Sequence, residues 1–149
     1  MAPAAEPLPP VHHAKNFRVE IQGLANVTLG YFTQVTGFSS QVDVLEYPEG
    51  GRNDFVHRLP SRVKQGNITL KRGVITSERT LTDWYAKTVQ QVQVTTLLIH
   101  LDDTEANRIR TWSFRNAYPV KWTGGDLNAG GTEFLTESLE IAHNGMTVS

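Results

Sequence analysis

The sequence predicts a mainly β fold: an antiparallel β-sandwich or barrel of about six or seven strands with one α-helix. Three observations predict it. Most apolar residues recur with a period of two in short runs bounded by turn residues. A single segment repeats its apolar residues at helical spacing. Several strands keep one polar face, which leaves a side of a sheet free to meet water.

Residues 1–14, MAPAAEPLPPVHHA, hold four prolines and no periodicity. Proline removes backbone donors and favours extended geometry, so this is a proline-rich N-terminal arm, either free or laid in a neighbour's groove. Residues 15–149 form one domain. In FRVEIQG, Phe17, Val19 and Ile21 point one way and Arg18, Glu20 and Gln22 the other, a half-buried strand. A second extended region runs from Val27 to Tyr47, broken near Gly37, with Val27, Leu29, Tyr31 and Val35 on one face. Beyond the break Val42 and Val44 lie opposite Leu45 and Tyr47, a phase change that predicts a bulge or a strand leaving its sheet.

The stretch about 46–62 reads as a long loop without sustained period. Structureless loops of this length are uncommon in compact domains and are usually functional or disordered. This one carries Phe55, Val56 and Leu59 among charges and the Gly50-Gly51 pair. A solvated loop has no need of such side chains, so it is expected to dock on another subunit. The candidate contact residues are Glu46, Tyr47, Pro48, Gly50, Gly51, Arg52, Phe55, Val56, His57 and Leu59.

After the loop, Ile68 and Leu70 alternate with Asn67, Thr69 and Lys71. Ser77 is a good N-cap and Glu78 suits the first turn of a helix. Leu81, Trp84, Tyr85, Thr88, Val89 and Val92 then mark one amphipathic helix from about Glu78 to about Gln91. Val94 to Leu101 is dense enough for a central strand. Ile109 to Trp122 is long and aromatic, with Pro119 marking an edge or a bend. A glycine-rich reversal, residues 123–131, precedes a last strand in which Leu135, Leu139 and Ile141 oppose Phe134, Thr136, Ser138 and Glu140.

Composition narrows the function. The 149 residues suffice for one ordinary core. Cysteine is absent, which removes disulfides and thiolate metal sites. Net charge is −1, with 14 basic and 15 acidic residues spread along the chain, so duplex nucleic acid is a poor partner. The longest apolar runs fall short of a membrane span and the N-terminus lacks a secretory signal's order, so synthesis and folding in the cytoplasm without a membrane anchor are expected.

No chemistry asserts itself. His12, His13, His57, His100 and His143 show no metal-ligand spacing and read as scattered surface or half-buried imidazoles. Gly50-Gly51 and Gly124-Gly125 lack the context of a phosphate loop. Asp102-Asp103 sit on an expected hairpin tip, where carboxylates stay solvated, and Glu137 and Glu140 lie on opposite strand faces. Ser39, Ser40 and Ser138 have no nucleophile signature. Trp112, Phe114, Tyr118 and Trp122 would share a face of a regular strand and read as core under Trp84 and Tyr85. Catalytic, cofactor and metal residues are expected to be none, and the chain is expected not to be an enzyme.

The order NFRVEI, VTGF, VLEYPEGG, RLPS, GNITLKRG, WSFRNAYPVKW, GGDLNAGG, FLTESLEIAHNG resembles the tube protein of contractile phage tails and related injection systems, over roughly residues 16 to 145. The longer proline-rich start departs from that pattern. The resemblance implies a β-barrel-like subunit that forms six-membered rings stacked into a hollow tube. It implies as partners further copies of itself, a sheath protein, baseplate, spike and tube-cap proteins, and a cargo effector or DNA in the lumen. It also implies a particle, phage tail or injection system, that can act outside the cell, and a long loop at about Glu46 to Leu59 that touches an adjacent ring or subunit. Lys71 and Glu140 are the candidate lumen-facing side chains. The rival expectation is a stand-alone β-barrel that holds a small apolar ligand as a monomer.

Overall fold

The computed structural model describes residues 16–22, 27–48, 50–51, 56–74, 79–103, 107–125, 127, 129–131 and 135–149. The proline-rich arm, Arg52, Phe55, Ser77 and Glu78 lie outside the described residues. The strands are β1 (Asn16–Gln22), β2 (Val27–Phe32), β3 (Gln34–Thr36), β4 (Ser40–Pro48), β5 (Val56–Gln65) and β6 (Ile68–Gly73). Helix α1 (Thr80–Gln90) follows, then β7 (Thr95–Asp102), β8 (Arg108–Gly124), β9 (Thr136–Ala142) and β10 (Gly145–Val148).

The main sheet runs β2-β1-β7-β8-β9-β6-β3, with β10 also on β8, and every pairing is antiparallel. Only Thr33 separates β2 from β3, so the first and last strands of this order are consecutive pieces of one chain pass. The sheet therefore curls back on itself as a barrel, which removes open edges along its seam. At that seam the Thr33 amide donates to the Lys71 carbonyl at 3.0 Å. On β8, strand β10 continues the edge taken by β9 in the same register, from Tyr118↔Ala142 to Arg115↔Gly145. Such broken passes raise the strand count above six or seven without changing the architecture.

Alternation builds the core. β6 buries Ile68 and Leu70, β9 buries Leu139 and Ile141, and β7 buries Leu97 and Ile99. With Val19, Leu29, Leu81, Phe114 and Ala117, all at 1 % exposure or less, they fill the barrel. Trp84 and Leu81 seat α1 on this core, and the Thr88 hydroxyl donates back to the Trp84 carbonyl at 3.0 Å. The helix is shorter than its expected apolar stripe. Val89 is 69 % exposed, and Val92 lies beyond the last turn.

Two expected faces break at bulges. In β2 the register slips opposite Val19/Glu20 and Gly30 takes φ 97°, so Leu29 and Phe32 turn inward while Tyr31 is 61 % exposed. In β8 Asn116 takes φ 50°, so Ala117 follows Phe114 into the core and Pro119 is buried too. Trp112 and Tyr118 are half-buried and Trp122 reaches the rim. Pro119 sits just past the last β7 pairing, Thr95↔Ala117, where its missing N–H breaks no ladder to β7.

The region read as a loop is a correction. β4 and β5 pair over most of their length, so the segment is a two-stranded ribbon whose connection, residues 49–55, is short. The ribbon is exposed on both faces, and a strand with no buried face needs no period-two pattern. The expected phase change is present as a register shift between Val42 and Val44.

Candidate assembly surfaces

Two glycines set the ribbon's base. Gly37 has φ 94°, and the space where its Cβ would stand is filled by the Asn67 carbonyl oxygen. Gly66 has Ser39 Oγ in the same place and donates its N–H to the Ser39 carbonyl at 2.9 Å. Larger residues would push the two feet of the ribbon apart. Phe38, between them, lies against the rings of Trp112 and Phe114 at 5.2 and 5.9 Å, which ties the base to β8.

Beyond its base the ribbon stands clear of the barrel. Val42, Val44, Leu45, Tyr47, Val56, Leu59 and Val63 are each between 46 % and 59 % exposed. Leu45↔Leu59, Glu46↔Arg58, Tyr47↔His57 and Pro48↔Val56 face one another across the pair. The structure thus gathers Glu46, Tyr47, Pro48, Val56, His57 and Leu59 at the distal half, with Gly50 and Gly51 (φ 91°) beginning the turn. A Lys64–Asp43 ion pair at 2.8 Å is exposed and contributes little to stability.

A second surface follows from register. Gln34, Lys71, Ser138 and Thr123 form one row across β3, β6, β9 and β8, and Thr36, Thr69, Glu140 and Lys121 form the next. Every member is exposed or half-exposed. Lys71 and Glu140, named from sequence, therefore share a polar face, and Asn67 Nδ2 donates to Glu140 Oε1 at 2.8 Å beside it. Gln34, Thr36, Lys121 and Thr123 were not singled out. Their signal was alternation with Val35 and Trp122 in segments too short or too bulged to read.

Beneath that face lies a buried charge pair that sequence reading missed. Arg72 is 2 % exposed; its Nε donates to Glu137 Oε1 at 2.8 Å and its Nη1 to the Leu29 carbonyl at 2.7 Å. The guanidinium also lies 5.4 Å from the Phe32 ring centroid. Arg72 and Glu137 are register partners, so one side chain ties β6 to β9 and reaches across the seam to β2.

Four other titratable groups sit in packed or hydrogen-bonded surroundings. His100 and His143 are buried, contrary to expectation: His100 Nδ1 stands 2.9 Å from Thr111 Oγ1, and His143 packs edge-on to Phe114 at 4.8 Å. Asp102 is also buried, 3.8 Å from Arg18 Nε, rather than solvated at a hairpin tip. Asp103 accepts the Asn107 amide at 2.9 Å and closes the turn. Among the described residues no group of three or more His, Cys, Asp or Glu could hold a metal ion, and no helix is long and apolar enough to cross a membrane. A cleft of about 190 Å³ lies between α1 and the β1–β2 end, lined by Ile21, Leu29, Trp84 and Thr88, and is smaller than the roughly 300 Å³ at which ligand pockets begin.

Comparison with known proteins gives a consistent result. The model of the T4-like virus tail tube protein gp19 family matches residues 13–147. A chain of the cryo-EM structure of the anti-feeding prophage baseplate, 6-fold symmetrised, is similar at 26 % identity and TM-score 0.77, covering 97 % of each chain. A chain of the PVC sheath–tube complex of an extracellular contractile injection system, in the extended state, matches at 23 % identity and TM-score 0.79. That match covers 93 % of this chain and 91 % of the other. Hcp1 from Flavobacterium johnsoniae shares the fold at 15 % identity and TM-score 0.53, over 90 % and 94 %. No curated protein sequence matches.

Proposed function

The chain belongs to the T4-like virus tail tube protein family, and from that premise we propose that it is the inner-tube subunit of a contractile tail or injection system. Six copies close a ring, rings stack into a hollow conduit, and sheath contraction drives the conduit through a target envelope. Sheath, baseplate, spike and cap proteins are its partners, and the lumen carries an effector protein or DNA. The role is structural rather than catalytic, in a particle built in the cytoplasm and able to act outside the cell.

The observation that carries this reading is the β4–β5 ribbon. Seven large apolar side chains near half exposure, on an element whose described strands pack chiefly on each other, are unusual for a finished monomer. They are ordinary for a subunit completed by its neighbours. The two-row polar face from Gln34 to Lys121 supplies the complementary feature, a wettable wall suited to a lumen. The small-ligand barrel has no support, because the interior that would hold the ligand is filled by Leu70, Leu97, Ile99, Phe114 and Leu139.

Negative-stain electron microscopy of concentrated protein, alone and grown from its own baseplate, tests the reading. Six-fold rings and stacked tubes are expected. Lone globules under both conditions would overturn it.

A further inference from the structure

The ribbon has a place to go, and the strand register locates it. Both of its feet, Gly37–Ser40 and Gln65–Asn67, stand at the end of the β8-β9-β6-β3 sheet marked by Thr36, Ile68 and Ala142. The other end is marked by Gly73↔Thr136 and Gly124↔Glu137, about 17 Å away along the six-residue β6.

A second apolar patch sits at that far end. Val74 donates its amide to the Leu135 carbonyl at 3.0 Å, and Leu135 packs by Gly125, whose amide is held by the Thr136 carbonyl at 2.9 Å. Gly124 has no side chain because the Trp122 ring occupies that space. Val74, Trp122 and Leu135 are 45 %, 39 % and 36 % exposed, and Leu127, two residues along the chain from Gly125, is 86 % exposed.

A subunit that repeats along an axis needs two different, complementary surfaces at opposite ends. With the polar face of this sheet turned to the lumen, its strands run at a tilt to the tube axis and their two ends meet the rings above and below. We infer that the patch formed by Val74, Trp122, Leu127 and Leu135 receives the β4–β5 ribbon of a copy in the adjacent ring. This assignment rests on the tube reading and names its acceptor. Another exposed apolar group, Val89, Val92 and Val94 at and just beyond the end of α1, belongs to no strand of that sheet and is the natural control.

The chain has no cysteine, so introduced pairs report contacts cleanly. Tyr47→Cys with Leu127→Cys in one chain should oxidise to ladders longer than a ring, whereas Tyr47→Cys with Val92→Cys should not. The exposed Leu127→Asp variant should melt as wild type does, form rings, and fail to stack. Ladders only from the Val92 pair, or tubes of normal length from Leu127→Asp, would overturn the assignment while leaving the tube reading intact. A wild-type chain that never stacks would overturn the tube reading, and this assignment with it.

Discussion

Arg72 and Glu137 show how one pair of side chains can define a seam. Their carboxylate–guanidinium contact is buried at 2 % and 7 % side-chain exposure, so neither charge can be left alone without a penalty. Arg72→Met or Glu137→Leu alone is expected to cost about 3–5 kcal/mol, the usual cost of stranding a buried charge. The double variant should recover most of that loss, since an apolar pair needs no desolvation. Urea unfolding of the two singles and the double checks this, and additive losses would mean the pair is not coupled. Gly37 poses the same kind of question for the backbone. Its φ of 94° and the Asn67 carbonyl against it leave no place for a methyl group, so Gly37→Ala should cost at least about 1–3 kcal/mol. Equal unfolding midpoints for wild type and Gly37→Ala would contradict that reading of the ribbon's base.

At the scale of elements, α1 and the ribbon behave oppositely. The helix stabilises the barrel: Trp84 is 8 % exposed and joins the core, so Trp84→Ala should cost about 3–5 kcal/mol in thermal or chemical unfolding. Beyond its base the ribbon is expected to contribute little to the stability of the isolated subunit. Val44→Asp with Leu59→Asp should leave stability within about 0.5 kcal/mol, because both sites are already near half exposure. The same variant should abolish stacking, read by electron microscopy, and tubes of normal length from it would remove the ribbon from the assembly contact. That combination, stability kept and stacking lost, is the outcome expected of a subunit completed by its neighbours.

For the whole molecule, the testable property is the polar face. Lys71→Glu with Glu140→Lys inverts two of its charges without touching the core beneath. Folding, rings and tubes should survive, while loading or transit of a charged cargo should change. Unchanged transit would take these two side chains out of the lumen. On the proposed tube reading, the same arrangement reconciles a wet channel with a stable barrel. One set of alternating positions fills the interior, the other faces water, and the period of two keeps them apart.

How much of this was legible depended on burial. Where one face of an element is buried, as in Ile68–Leu70 or Leu139–Ile141, the chain must alternate, and the strand can be read directly from the residues. The helix was legible for the same reason, through Leu81, Trp84 and Thr88. The order of motifs across most of the chain was enough to suggest the family. The ribbon was not legible as strands, because both its faces are exposed and nothing forces Val56–Gln65 into a pattern. Its stranded apolar residues were nonetheless visible in the sequence, and the structure leaves those it describes exposed on the ribbon. The slips at Gly30 and Asn116, the burial of His100, His143 and Asp102, and the Arg72–Glu137 pair were decided only by tertiary structure. Each depends on what another strand, distant in sequence, brings opposite it, and local periodicity carries no record of that partner.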